Sequence, residues 1–116
     1  MTIENALASV PVRDVDAAAA WYEQLLGQPA RRPMGEVAEW KFTGGGGLQA
    51  FEAPDRAGGG SVTLAVTDLE RHAEAIRASG IDAEVVGNDR VKTVMIKDPD
   101  GNSIVFAEAI DQALLR

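Results

Sequence analysis

Two stretches of this chain say the same thing twice. Residues 10–16 read VPVRDVD and residues 64–70 read LAVTDLE, so Val10, Val12, Asp14, Val15 and Asp16 recur as Leu64, Val66, Asp68, Leu69 and Glu70. Each stretch runs into a helical pattern closed by a glycine, Gly27 in the first copy and Gly80 in the second. Self-similarity of this kind restricts the fold to two copies of one supersecondary unit. The division that follows is a single domain over residues 1–116, built from a first module (1–52), a linker (53–60, APDRAGGG) and a second module (61–110).

Local patterns give each module the same order of elements. Leu7–Val12 alternates as a strand, with Pro11 near its end where a missing N–H does least harm. Asp14 is suited to cap a helix in which Val15, Ala18, Ala19, Tyr22, Leu25 and Leu26 fall at helical spacing. Gly27 provides a left-handed end and Pro29 forbids continuation. Extended segments follow at Ala30–Met34, Val37–Thr43 and Leu48–Glu52, with Gly44–Gly47 as a turn. The second module repeats the plan. Ser61–Val66 is a strand, and Asp68 caps a helix with Leu69, Ala73 and Ile76 on one face. Ile81–Val86, Val91–Lys97 and Ser103–Ala107 are strands, and Asp111–Arg116 is a tail suited to a last helical turn. The order is β-α-β-β-β twice, an α+β chain.

Asp98-Pro99-Asp100-Gly101-Asn102 separates the last two strands. Proline presets φ, glycine supplies a positive φ, and the Asp and Asn side chains bond nearby backbone, so the string is a hairpin turn. DPDGN followed by an apolar strand, together with Val12-Arg13-Asp14, the pair Trp21-Tyr22 ahead of Leu26-Gly27, and the strand Leu48–Phe51, resembles the glyoxalase/bleomycin resistance protein/dioxygenase superfamily, also called vicinal oxygen chelate proteins. The resemblance covers essentially the whole chain. It implies that two βαβββ modules form curved mixed sheets around a cavity, and that chains of this length pair as homodimers.

Composition removes several classes of function. A net charge of −7 argues against nucleic acid as a partner, because phosphate binding needs clustered Lys and Arg. With no cysteine there is no disulfide framework, thiolate site or cysteine nucleophile. No apolar run reaches the roughly 20 residues of a membrane span, and MTIENALASV does not read as a signal peptide, so the expected location is the cytoplasm. Gly44–Gly47 lacks the Lys-Ser or Lys-Thr of a phosphate loop, and no GxSxG motif occurs.

Metal-dependent members of the superfamily hold a divalent ion with His, Glu or Gln from four strands. The resemblance carries those positions onto Leu7, Gln49, Ser61 and Val105. Leucine and valine have no lone pair, and one neutral amide is a weak ligand where at least three nitrogen or carboxylate donors are wanted. The expectation is a metal-free branch with no cofactor. His72, the sole histidine, falls on the second helix and reads as a surface residue.

Strand alternation then supplies a lining without ligands. Gln49 and Phe51 share one face, as do Ser61, Thr63 and Ala65, and Ser103, Val105 and Ala107; Leu7 and Ser9 join them. Glu52 and Glu108 fall on the opposite face, which makes them poor catalytic candidates. Trp40 beside Phe42 offers an aromatic plane for a planar or cationic ligand, with packing in the core or at a dimer interface as the competing role. The candidate ligand-binding set is Trp40, Gln49, Phe51, Ser61, Thr63 and Val105, with catalytic residues unassigned. The resemblance implies a protein that binds, and in the antibiotic resistance branch sequesters, a small organic ligand. The alternatives are a lyase, isomerase or dioxygenase with an atypical or metal-free site, and a regulatory dimer whose cavity is closed.

Overall fold

The structure, a computed structural model, describes residues 1–110, so the tail at Asp111–Arg116 lies outside the described residues. The chain forms two compact units, Met1–Gly60 with Asp98–Asn102, and Ser61–Lys97 with the chain from Ser103 onward. Among the described residues no helix is long and apolar enough to cross a membrane.

The first unit holds β1 (Leu7–Val12), α1 (Val15–Leu26), β2 (Arg31–Met34), β3 (Val37–Lys41) and β4 (Gly47–Glu52), with sheet order β1-β4-β3-β2. β1 and β4 run parallel, which requires a crossover, and α1 begins that crossover by packing its apolar stripe on the sheet. Its buried residues Val15, Ala18, Ala19 and Tyr22 share a core with Val10, Val12, Ala38, Trp40, Leu48 and Ala50. The helix starts where expected: Asp14 Oδ1 accepts from the N–H groups of Asp16 (2.9 Å) and Ala17 (3.3 Å). Glu52 adds a second acceptor, for Val15 N–H at 3.1 Å. Gly27 ends the helix at φ 68°, the left-handed conformation only glycine adopts freely.

Residues 98–102 complete this unit as a polar plug anchored by the buried Asp98 and Asn102. Asp98 Oδ2 accepts from the Tyr22 hydroxyl (2.6 Å) and Asn102 Nδ2 (2.8 Å), while Oδ1 accepts from the N–H groups of Asp100 and Asn102. Asn102 Nδ2 also donates to Pro11 O, and its Oδ1 accepts from Gly60 N–H at 2.7 Å. No buried side-chain polar atom among the described residues lacks a partner. Burial first, and the Asp98 carboxylate second, push the Tyr22 hydroxyl far above its ordinary pKa. Pro54–Arg56 form a short 3-10 turn, and a Cβ at Gly60 would stand 2.9 Å from both Asn102 Oδ1 and Pro11 Cδ. That glycine serves close approach, beyond any need for freedom.

The second unit holds β5 (Ser61–Ala65), α2 (Leu69–Ala78), β6 (Val86–Gly87), β7 (Val91–Lys97) and β8 (Ser103–Ala109), in the order β5-β8-β7-β6 with β5 parallel to β8. Leu69, Ala73 and Ile76 of α2 are buried, as are Val62, Val94, Ile96, Ile104 and Phe106 on one face of the sheet. Two expectations fail in this unit. Asp68 makes no side-chain capping bond and sits at φ 56°; Glu108 takes the capping role, accepting from the N–H groups of Asp68 and Leu69, each at 3.1 Å. The strand expected at Ile81–Val86 shrinks to Val86–Gly87 because Arg77 Nε binds Ala83 O at 2.7 Å, tying that backbone to the helix rather than to a neighbouring strand.

Candidate functional site

Each sheet has one face under its helix and one face away from it, and the polar side chains gather on the second. In the first unit the register places Ser9, Gln49 and Glu39 side by side across β1, β4 and β3. Ser9 Oγ donates to Gln49 Oε1 at 3.3 Å, and Gln49 Nε2 donates to Glu39 Oε2 at 3.1 Å. Two positions further along, Pro11, Phe51 and Val37 form an apolar row. The Arg56 guanidinium lies over the Phe51 ring at 5.1 Å, a cation–π contact.

In the second unit the corresponding face carries Ser61, Thr63 and Ala65 from β5, opposite Ser103, Val105 and Ala107 of β8. The next strand adds Lys97, Met95 and Thr93 in the same rows. Met95 is 62% exposed, a large apolar side chain left open beside Val105. This face mixes hydroxyls and small apolar groups with the Lys97 side chain and the exposed Met95.

The structure thus brings Gln49 and Phe51 onto one face of the first sheet, and Ser61, Thr63 and Val105 onto one face of the second. Trp40 belongs elsewhere. It pairs with Leu48 on the helix side, is fully buried, lies 5.6 Å from the Tyr22 ring and donates Nε1–H to Gln28 O at 3.0 Å. The aromatic plane expected to meet a ligand is a core element, because β3 alternates with Ala38 and Trp40 inward and Glu39 and Lys41 outward. Glu39, Arg56 and Met95 were not anticipated. The polar-apolar alternation of Ala38-Glu39-Trp40-Lys41 carried the signal for Glu39; nothing local carried it for Arg56.

Glu52 and Glu108 do face the helices, each bonded to backbone N–H groups at a helix start. Those bonds, from Leu69 first and Asp68 second, hold the Glu108 carboxyl below its ordinary pKa. His72 is exposed on α2 with its ring stacked at 6.3 Å from Phe106.

The donor set does not fit the superfamily's divalent ion. Leu7 and Val105 offer nothing, Ser61 offers a hydroxyl, and both ends of the Gln49 amide are engaged within the sheet. Among the described residues no group of three or more His, Asp, Glu or Cys is placed to hold a metal.

Two βαβββ units, each with a parallel β1–β4 type pair and an open sheet face, define the glyoxalase/bleomycin resistance fold. The glyoxalase-like domain model matches residues 7–106, and the chain belongs to that family. It is similar to a glyoxalase/bleomycin resistance protein from Catenulispora acidiphila, with 34% identity, TM-score 0.82, and coverage of 92% of this chain and 99% of that one. It also shares its fold with a bleomycin resistance determinant encoded on transposon Tn5 (22% identity, TM-score 0.72, 92% and 98% coverage). A bleomycin-binding protein solved with bleomycin matches at 22% identity and TM-score 0.70, again with 92% and 98% coverage. A search of curated proteins finds no significant match.

Proposed function

We propose that this protein binds a small organic molecule without a metal ion, as a sequestering member of its family. The observation that carries the reading is the state of Gln49. The one side chain at the four inherited positions able to approach a metal is instead clasped between Ser9 and Glu39, on an open face bordered by Phe51. A few fixed polar groups beside apolar surface are what orient a small ligand. The proposed contacts are, on the open face of the first unit taken by itself, Gln49 and Phe51, and on that of the second, Ser61, Thr63 and Val105; Trp40, buried in the core, is left out. The fold shared with a bleomycin-binding protein makes bleomycin the first ligand to try. The proposed working form is a cytoplasmic homodimer, checked by light scattering on a sizing column.

The experiment is calorimetric titration with bleomycin and a panel of planar antibiotics, with and without chelator, alongside elemental analysis of the purified protein. Saturable binding that chelator leaves unchanged is expected. Stoichiometric Ni, Zn, Mn or Fe whose removal abolishes binding, or no saturable heat across the panel, would overturn the reading.

A further inference from the structure

We propose that Glu39 sets the choice of ligand, and that the ligand class is a small organic cation: an amine, amidine or guanidinium carried on an apolar body. This rests on the binding reading above and supplies the charge that the reading leaves open. Ser9 spends its only hydroxyl hydrogen on Gln49, and Gln49 spends one N–H on Glu39. A hydroxyl and an amide oxygen keep lone pairs after such bonds, and a carboxylate has only acceptors. The row therefore retains one free N–H on Gln49 against several free acceptors, among them the second Glu39 oxygen. It asks for donors.

The Glu39 carboxylate also forms no close ion pair among the described residues. Among the described residues the ion pairs are Arg13–Asp100 and Arg32–Asp16, so neither Arg31, opposite Glu39 in β2, nor Lys41, two residues along β3, pairs with it. Arg56, the nearby cation of this face, is placed on the Phe51 ring instead. Glu39 is half-buried beside Gln49, where salt and water screen a charge less than on an open surface. Two strand positions away, roughly 7 Å, Pro11 and Val37 are buried and the half-buried Phe51 ring, with the Arg56 guanidinium over it, is the apolar group that the body of an amphipathic cation would meet. The chain's net charge of −7 adds a long-range field that concentrates cations around it.

Three probes of one shape test the proposal: naphthalene-2-carboxamidine (cation), naphthalene-2-carboxamide (neutral) and naphthalene-2-carboxylate (anion), titrated calorimetrically near neutral pH at low salt. Wild type is expected to prefer the amidine over the amide by about tenfold and to bind the carboxylate weakest. Glu39→Gln, which keeps the length and the acceptor for Gln49, is expected to remove that preference, bringing the amidine and amide affinities within about twofold of each other. Glu39→Lys should turn the preference toward the carboxylate, with melting curves verifying that both variants fold. Wild-type affinities that ignore probe charge, or an amidine affinity that survives Glu39→Gln within about twofold, overturn the role of Glu39 and leave small-molecule binding standing. A folded wild type that binds neither the three probes nor bleomycin overturns the binding reading and this inference with it.

Discussion

The two units are built on one plan and secured in different ways. Both helices begin under a glutamate from the last strand of their own module, Glu52 for α1 and Glu108 for α2. Only α1 has an aspartate cap as well, since Asp14 bonds two N–H groups and Asp68 bonds none. Among the described residues only the first unit holds a buried polar plug, the Asp98–Asn102 turn with Tyr22, Pro11 and Gly60. The lesson is that a repeat preserves the strand-borne carboxylate because the crossover helix needs acceptors at its start. The residue before the helix is left free to differ.

If the plug is what distinguishes the first unit, removing its centre has the largest effect. Asp98→Ala takes an acceptor from the Tyr22 hydroxyl, from Asn102 Nδ2, which keeps Pro11 O, and from two backbone N–H groups around a buried carboxylate. At about 1–3 kcal/mol for each unsatisfied donor, with some relaxation, the loss is about 5 kcal/mol in urea unfolding. The same plug has a pH signature. The folded state holds the Tyr22 proton more tightly than the unfolded chain, so this stability is complete below the ordinary tyrosine range near about pH 10 and falls as pH rises above it. Tyr22→Phe should flatten that alkaline decline while costing about 1 kcal/mol at neutral pH through the lost hydrogen bond.

Trp40→Ala comes next, at about 4 kcal/mol, the middle of the range for emptying a large aromatic site in a core. Ligand affinity measured under conditions where the variant is folded should change little. A Trp40→Phe variant that binds as wild type but melts earlier would make the same separation with less damage.

These expectations mark what the sequence made legible. The repeat, the parity of Gln49, Phe51, Ser61, Thr63 and Val105, and the turn chemistry of DPDGN follow from local rules, and the structure places those elements accordingly. Trp40 was obscured because an aromatic residue invites a binding role, although its neighbours Glu39 and Lys41 already occupied the outward positions. The plug was illegible for a different reason: Tyr22 and Asp98 are far apart in the chain, and no local pattern reports that they meet. Ile81–Val86 misled because its apolar residues suggest a strand, whereas one side-chain bond from Arg77 claims its backbone.

A smaller effect separates the two helix starts. Glu108→Gln and Glu52→Gln remove equivalent charges, but α1 keeps Asp14 and α2 has no second side-chain cap. Amide exchange should accelerate more at Leu69 in the first variant than at Val15 in the second. Because the Glu108 carboxyl titrates below its ordinary value, its support is present at neutral pH and is lost as pH falls through the folded-state pKa. Protection of the α2 start in wild type should therefore decline on acidification.

The smallest effects are also the most diagnostic, because they differ in sign at matched positions of the repeat. Asp14→Ala deletes a cap that serves two N–H groups and should cost about 1 kcal/mol. Asp68 makes no such bond and holds a left-handed backbone at φ 56°, a conformation that disfavours residues with a Cβ by roughly 1–2 kcal/mol. Asp68→Gly relieves that strain, and the entropy a glycine adds to the unfolded chain offsets part of the gain. A net stabilisation of a few tenths to about 1 kcal/mol is expected by chemical denaturation. Two destabilising results of equal size would mean that both aspartates cap after all, and that the halves are secured alike.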